Sequence, residues 1–141
     1  MREIKFRGKD DALIWHYGDL VTMTVGRPLI IDSVIVDNDI GEPISVDPAT
    51  VGQFTGMWDC EGCEIYEGDI VKATLKEPSF VKRFRLQNEL VGEMFFDNAW
   101  WMKERETVNL IPPWRLRYYD LTVIGNVHDN PNLLEADDAR D

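Results

Sequence analysis

Two cysteines at Cys-x-x-Cys spacing are the residues of this chain best suited to chemistry. Cys60 and Cys63 lie in the run WDCEGCE, and two thiolates at this spacing can hold one zinc ion or form a redox pair. A structural zinc site needs four ligands, so His16 and His128 would have to complete it, because the chain has no other cysteine. A thioredoxin-like pair begins a helix, whereas this run indicates a turn between strands. We therefore treat Cys60 and Cys63 as weak metal candidates and predict no metal and no cofactor.

The other residue types that perform catalysis stand in no catalytic pattern. No serine lies in a nucleophile elbow, and neither histidine lies in a motif that would orient it as a base. Five carboxylates form an acidic stretch that lacks the glycine and the final glutamate of a calcium loop: Asp32, Asp37, Asp39, Glu42 and Asp47. We interpret this stretch as a solvated loop and predict that the protein is not an enzyme.

Positive charge is concentrated in residues 72–85. This basic segment contains Lys72, Lys76, Lys82, Arg83 and Arg85 against Glu77 alone, five positive minus one negative, together with Phe80 and Phe84. Small β-barrels bind single-stranded nucleic acid by combining such charge with aromatic stacking. If the segment is a strand, however, Phe84 lies on the face that points to the core. We therefore do not favour nucleic acid, and the alternatives are a solubilising strand or a contact with the acidic stretch of another subunit.

Aromatic residues are too numerous for one buried sheet face. Trp100-Trp101, Trp114 and Tyr118-Tyr119 include adjacent pairs, and neighbours on a strand point to opposite sides. Because tryptophan and tyrosine are favoured in protein interfaces, we predict that Trp101, Trp114 and Tyr118 lie in an interface. The surplus predicts a homo-oligomer.

Composition and charge limit the class of protein. The chain has 141 residues, 44% of them hydrophobic and 11% aromatic, with a formal net charge of −11. These values are typical of one folded domain, and the negative charge disfavours broad adhesion to nucleic acid or anionic membranes. No apolar run approaches the ~20 residues of a membrane helix, and the charged N-terminus does not resemble a signal peptide. The sequence predicts a cytoplasmic protein without a membrane partner.

The hydrophobic period of the chain is mostly two, which predicts short β-strands. We expect strands around Ile4 to Phe6 and over 20–25, 29–36, 69–75, 80–86, 90–96, 100–102 and 121–127, although residues 76–90 could instead be helical. Strands of this length and spacing suggest a barrel or a sandwich. Single helical turns are expected after Pro48 and at Asn130-Pro131.

A second set of turns lies around the cysteines. Asp59 can accept hydrogen bonds from backbone amides, and Gly62 can take a left-handed conformation. Glu67-Gly68-Asp69 predicts another turn directly before the apolar pair Ile70-Val71. These residues form the run GQFTG-x(8)-IYEGDIV within residues 52–71.

With MREIKFRG at the start, VDPATVGQFTG in the middle and IGNVHDNPNLL near the end, the chain resembles the YopX family of phage and prophage proteins. The resemblance implies a largely β fold, a phage or prophage origin and the bacterial cytoplasm as compartment. It implies no established biochemical activity and supplies no catalytic residue. The family pattern has polar residues where Cys60 and Cys63 lie, so we interpret the cysteines as tolerated substitutions on an exposed turn.

Taken together, these patterns predict a mainly β, YopX-like domain over residues 1–135. It comprises N-terminal strands over 1–50 and an SH3-like, barrel-like half over 51–135, followed by a frayed acidic tail at 136–141. The expected function is that of a phage or prophage accessory protein that binds a phage protein, a host protein or itself. The alternative is a nucleic-acid-binding module that uses the basic segment.

Overall fold

A computed structural model describes residues 3–26, 30–97, 99–105 and 110–135. The protein is mainly β, as the sequence predicts, with 53% of the described residues in strands and 12% in helices. Its chain divides into two compact units, Met1–Gly56 and Met57–Asp141. Successive strands that short turns connect pair antiparallel in both units, as a short connection requires.

The first unit is one antiparallel sheet. Its strands are β1 (Phe6–Lys9), β2 (Trp15–Val25), β3 (Ile30–Asp37), β4 (Pro43–Val46) and β5 (Gly52–Trp58), in the order β4-β3-β2-β1-β5. The buried apolar side chains of this unit include Val34, Ile35, Val46 and Phe54. The expected helical turn after Pro48 is confirmed as a 3₁₀ turn, Pro48–Thr50, in which the Asp47 carboxylate accepts a hydrogen bond from the Ala49 amide at 3.0 Å.

The second unit contains a five-stranded sheet and two short helices. The elements are β6 (Glu64–Tyr66), β7 (Asp69–Leu75), α1 (Phe80–Phe84), β8 (Glu89–Phe96), β9 (Trp100–Glu104), β10 (Leu110–Ile111), α2 (Pro113–Leu116) and β11 (Tyr119–Asn126). The sheet order is β10-β9-β8-β7-β11, and β6 neighbours β5 in the other sheet. The expected turn at Asn130-Pro131 is confirmed as a 3₁₀ turn, Pro131–Leu134.

The central strand β7 shows why this unit has a continuous core. Ile70, Val71, Ala73 and Leu75 are all buried, since β8 and β11 flank the strand on both sides. Val71, Ala73 and Leu75 join a cluster that includes Leu90, Met94, Met102 and Leu116. Burying one such aliphatic side chain contributes about 1.5–3 kcal/mol, so this cluster fixes the position of the loops around it.

The prediction of a strand over residues 80–86 is wrong. Residues Phe80–Phe84 form α1, and Arg85 follows in the left-handed region at φ 53°. The physical reason is topological: β7 and β8 pair directly with each other, so the residues between them are the connection of that pair rather than a further strand. The alternation that placed Phe80, Lys82 and Phe84 on one strand face is wrong for the same reason.

The helical alternative for residues 76–90 is confirmed only for its central turn. Several short elements were not expected from the sequence, among them β4, β6, β10 and α2. Among the described residues the strands form two sheets without a closed barrel. The SH3-like barrel therefore stays a prediction.

Candidate functional site

The turn that contains both cysteines is organised by one buried carboxylate. Asp59 is 7% exposed, and one of its oxygens accepts hydrogen bonds from the Glu61 and Cys63 amides at 2.9 and 2.8 Å. The other oxygen accepts one from the Val123 amide of β11 at 3.0 Å. Gly62 lies at φ 86°, as expected. Burial raises the pKa of Asp59, but the bonds from Val123, Cys63 and Glu61 outweigh it, and the pKa falls below its ordinary value.

Both cysteines are exposed and free on this turn. The negative charge of Asp59, followed by burial and the charge of Glu61, raises the pKa of the Cys63 thiol. The Cys60 sulfur lies 3.3 Å from the hydroxyl oxygen of Thr122. A raised pKa lowers the fraction of thiolate, which is the form that binds metal and attacks disulfides.

The histidines do not accompany the cysteines in a ligand set. Across the described ranges, no group of three or more His, Cys, Asp or Glu side chains is arranged to hold a metal ion. His16 contacts two carboxylates of the first unit, and His128 is exposed after β11.

The structure separates the members of the basic segment. Lys72 lies on β7, where its ammonium group is 3.5 Å from a Glu89 carboxylate oxygen. Lys76 follows β7, Lys82 and Arg83 lie on α1, and Arg85 follows α1; all four are exposed. A further pair of cations, Arg115 and Arg117, comes from the α2 segment.

The α1 and α2 segments lie side by side. The Lys76 amide donates to the Tyr118 carbonyl at 2.9 Å, and the Phe80 and Tyr118 rings meet edge to face at 5.4 Å. The Tyr119 hydroxyl donates to the Gln87 carbonyl at 2.7 Å. Lys76 and Arg85 of the basic segment therefore lie near the α2 segment, which carries Arg115 and Arg117.

Two cavities open beside α2. The first, which we call the apolar cavity, has a volume of about 440 Å³ and is bordered by Pro113, Leu116 and Arg117 of the α2 segment. Its other walls are mostly large side chains: Met57, Trp58, Trp100, Tyr119 and Leu121. The charged lining residues balance in number, because Lys76 and Arg117 stand against Asp59 and Asp120.

The second, which we call the basic cavity, has a volume of about 380 Å³. Its lining residues are Arg85, Leu86, Pro112, Trp114, Arg115 and Tyr118, with two arginines and no carboxylate among them. Since Pro112, Trp114 and Arg115 face this cavity while Pro113, Leu116 and Arg117 face the other, α2 is the wall that the two cavities share.

The predicted interface aromatics differ in exposure. Trp114 is 62% exposed, whereas Tyr118 is half-buried against Phe80. Trp101 is also half-buried, and its indole donates to the Asp97 carbonyl at 3.1 Å. Trp58, which the sequence did not single out, is 57% exposed; its position at the end of β5, beside the cysteine turn, could have identified it.

A cluster in the first unit was also missed. The His16 ring lies between two carboxylates: Nε2 is 2.7 Å from Asp10 Oδ2, and Nδ1 is 2.7 Å from Asp37 Oδ2. Hydrogen bonding to Asp10 raises the pKa of His16, burial opposes it, and the bond to Asp37 adds to the rise. Asp10 and Asp37 also accept backbone amides of their own loops. The cluster joins two loops and leaves neither ring nitrogen for a ligand.

No helix among the described residues has the length and apolarity to cross a membrane.

The chain matches a family model described as YopX protein over residues 5–135. Among solved structures it is similar to the crystal structure of protein EF1440 from Enterococcus faecalis, with a TM-score of 0.50 and 22% identity, covering 96% of this chain and 100% of that one. At this identity the likeness concerns the fold alone. No curated protein matches the chain. Because the family model spans nearly its whole length, the protein belongs to the YopX family.

Proposed function

We propose that the protein is a phage or prophage accessory protein that acts in the bacterial cytoplasm by binding another protein or a second copy of itself, without catalysis. The observation that carries this proposal is the exposure of two indoles on ordered elements, Trp58 at 57% and Trp114 at 62%. Exposed apolar surface of this size costs solvation free energy in the isolated protein. Burial of tryptophan at an interface recovers it, which is why tryptophan is enriched among the residues that dominate binding.

The predicted contact residues support the same face. Trp114 and Tyr118 both line the basic cavity, and Trp58 lines the apolar cavity. Each of these rings therefore lies beside a concave surface that a partner's side chain could fill. Trp101 lines neither of these two cavities, so we assign it no part in this surface.

A capture experiment tests the proposal. The tagged protein, expressed in phage-infected cells, is cross-linked, isolated and analysed by mass spectrometry, alongside the double variant Trp58→Ser/Trp114→Ser. We expect a discrete set of proteins, or the chain itself, that the double variant loses. Leu110→Ser is the matched control because Leu110 is a 51% exposed apolar residue of the same unit. Equal recovery with the wild type and the double variant would contradict the proposal.

Nucleic acid binding is the second candidate function, and the clustering of cations supports it. Around α2, one face carries Arg85 and Arg115 in the basic cavity, Lys76 and Arg117 in the apolar cavity, and exposed Trp114 beside them. Such a face meets the two needs of single-strand binding, charge and stacking. Retention on immobilised single-stranded DNA or RNA at low salt, lost at high salt, would support this function. Absence of retention at low salt would remove it.

A further inference from the structure

The two cavities beside α2 differ in chemistry while sharing a wall. The apolar cavity is walled by Trp58, Trp100 and Leu121, and its charged lining residues balance. The basic cavity carries Arg85 and Arg115 without a carboxylate. A ligand that fills both must therefore be apolar at one end and anionic at the other.

From this arrangement we propose that α2 and its two cavities form a docking surface for an acidic, extended protein segment. One large apolar side chain enters the apolar cavity, and a carboxylate one helix width away meets Arg85 and Arg115 in the basic cavity. This inference rests on the proposed protein-binding function and names the chemistry of the partner.

The width of α2 sets the distance between the partner's apolar side chain and its carboxylate. A helix with its side chains is about 10 Å across, and an extended chain advances about 3.3 Å per residue. Because side chains alternate between the two faces of an extended strand, an apolar residue and a carboxylate that face the same surface are two or four residues apart in the partner. A cavity of about 440 Å³ holds one aromatic or large aliphatic side chain with room to adjust.

The floor of this surface is rigid enough to preserve that spacing. Leu116 of α2 is buried at 4% exposure and belongs to the core cluster. Tyr119 is 3% exposed and bonded to the Gln87 carbonyl. Preformed surfaces avoid part of the ordering cost of binding.

The acidity of the rest of the chain favours a short acidic segment over a nucleic acid strand. The whole chain carries a formal charge of −11, and the cysteine turn beside the apolar cavity contains Asp59 and Glu61. A long polyanion would extend from the basic cavity over these carboxylates and be repelled. A peptide with one or two acidic residues places its negative charge only beside Arg85 and Arg115.

Selection from a random peptide library tests the inference directly. Displayed 12-residue peptides are selected on the immobilised wild-type protein and counted against selection on Arg85→Glu. We expect enrichment of sequences with an aromatic or large aliphatic residue two or four positions from Asp or Glu. The enriched peptides should lose about tenfold or more in affinity for Arg85→Glu.

Lys82→Glu is the matched control, because Lys82 is an exposed cation of α1 that lines neither cavity beside α2. It makes the same charge change, and we expect an effect below about threefold. Replacing the acidic residue of a selected peptide by its amide should weaken binding as Arg85→Glu does. Thermal unfolding of each variant confirms that it is folded.

Three outcomes would overturn the inference. These are enrichment of neutral or basic sequences, no enrichment, or equal losses for Arg85→Glu and Lys82→Glu. Tighter binding of an oligothymidine than of any selected peptide, with the same loss for Arg85→Glu, would assign the surface to nucleic acid instead. Capture of Trp58-dependent partners in cells with no acidic peptide selected would overturn this inference while leaving the proposed function intact.

Discussion

The family signature around the cysteines is organised by its carboxylate rather than by its thiols. Asp59 accepts three backbone amides from two separate parts of the chain, whereas Cys60 and Cys63 are exposed. A carboxylate is suited to this role because it can accept several hydrogen bonds and donates none. The cysteine turn is therefore a structural clamp between residues 59–63 and β11.

Replacing Asp59 by Asn should destabilise the protein by about 2 kcal/mol, because the amide nitrogen would face a backbone N–H and leave it unpaired. The pKa of Asp59 is lowered, so its contribution is present above the ordinary carboxyl pKa and is lost as pH falls through the folded pKa. Urea unfolding at neutral and acidic pH measures both effects. Glu61→Gln, an exposed change in the same turn, is the control; an equal loss in both variants would contradict the clamp.

The His16 cluster predicts a pH dependence at the alkaline side. The pKa of His16 is raised by Asp10 and Asp37, so its stabilising contribution is complete below the ordinary histidine pKa and is lost as pH rises through the folded pKa. The wild type should have a higher thermal midpoint than His16→Gln, and this difference should be largest at about pH 5.5. This difference should shrink toward about pH 9, and a difference that grows with pH would contradict the assignment.

At the scale of elements, the sequence predicted the strands that carry strong alternation and missed those defined by tertiary contacts. The apolar runs of β7, β8 and β11 were recognised because they are rich in apolar residue types that favour strands. The two-residue strand β10 exists only through its pairing with β9. The sequence assigned 80–86 to a strand because Phe and Val favour strands, whereas direct pairing of β7 with β8 leaves this segment as a connection.

The same distinction applies to the candidate site. Arg85, Trp114 and Tyr118 were identified from residue type, but their meeting with Arg115 depends on α1 and α2 lying side by side. Pro113 begins α2, and proline is favoured in the first turn of a helix, although no helix was predicted there from the sequence. Because α2 was not predicted, the sequence could not show that one element separates two cavities.

The connection between β1 and β2 offers a test of element geometry. Leu13 has φ 65° and is 72% exposed, so its side chain contributes little packing while its backbone lies in the left-handed region. Leu13→Gly should stabilise the protein by about 1 kcal/mol, because glycine adopts this conformation without the Cβ clash. Chemical unfolding measures the change. Ala12→Gly, next to it but not at positive φ, should destabilise instead, and a stabilising effect there would contradict the explanation.

At the scale of the whole molecule, charge and aromatic surface act in opposite directions on self-association. A net charge of −11 repels a second copy, whereas Trp58 and Trp114 favour burial. We expect the predicted homo-oligomer to strengthen with added salt, because screening removes the repulsion and leaves the apolar contact. Light scattering at micromolar concentration across a salt series measures this. If the protein is a monomer at all salt concentrations, Trp58 and Trp114 can contribute to binding of other proteins but not of a second copy.

The prediction of one YopX-like domain over residues 1–135 concerns cooperativity between the two compact units. β5 crosses their boundary in the chain, since Gly52–Trp58 runs from the first unit into the second. We expect one calorimetric transition with equal calorimetric and van't Hoff enthalpies. The variant Asp59→Asn, which weakens only the second unit, should lower the whole transition rather than split it. Two separate transitions, only one of them shifted by Asp59→Asn, would instead assign the units to two domains.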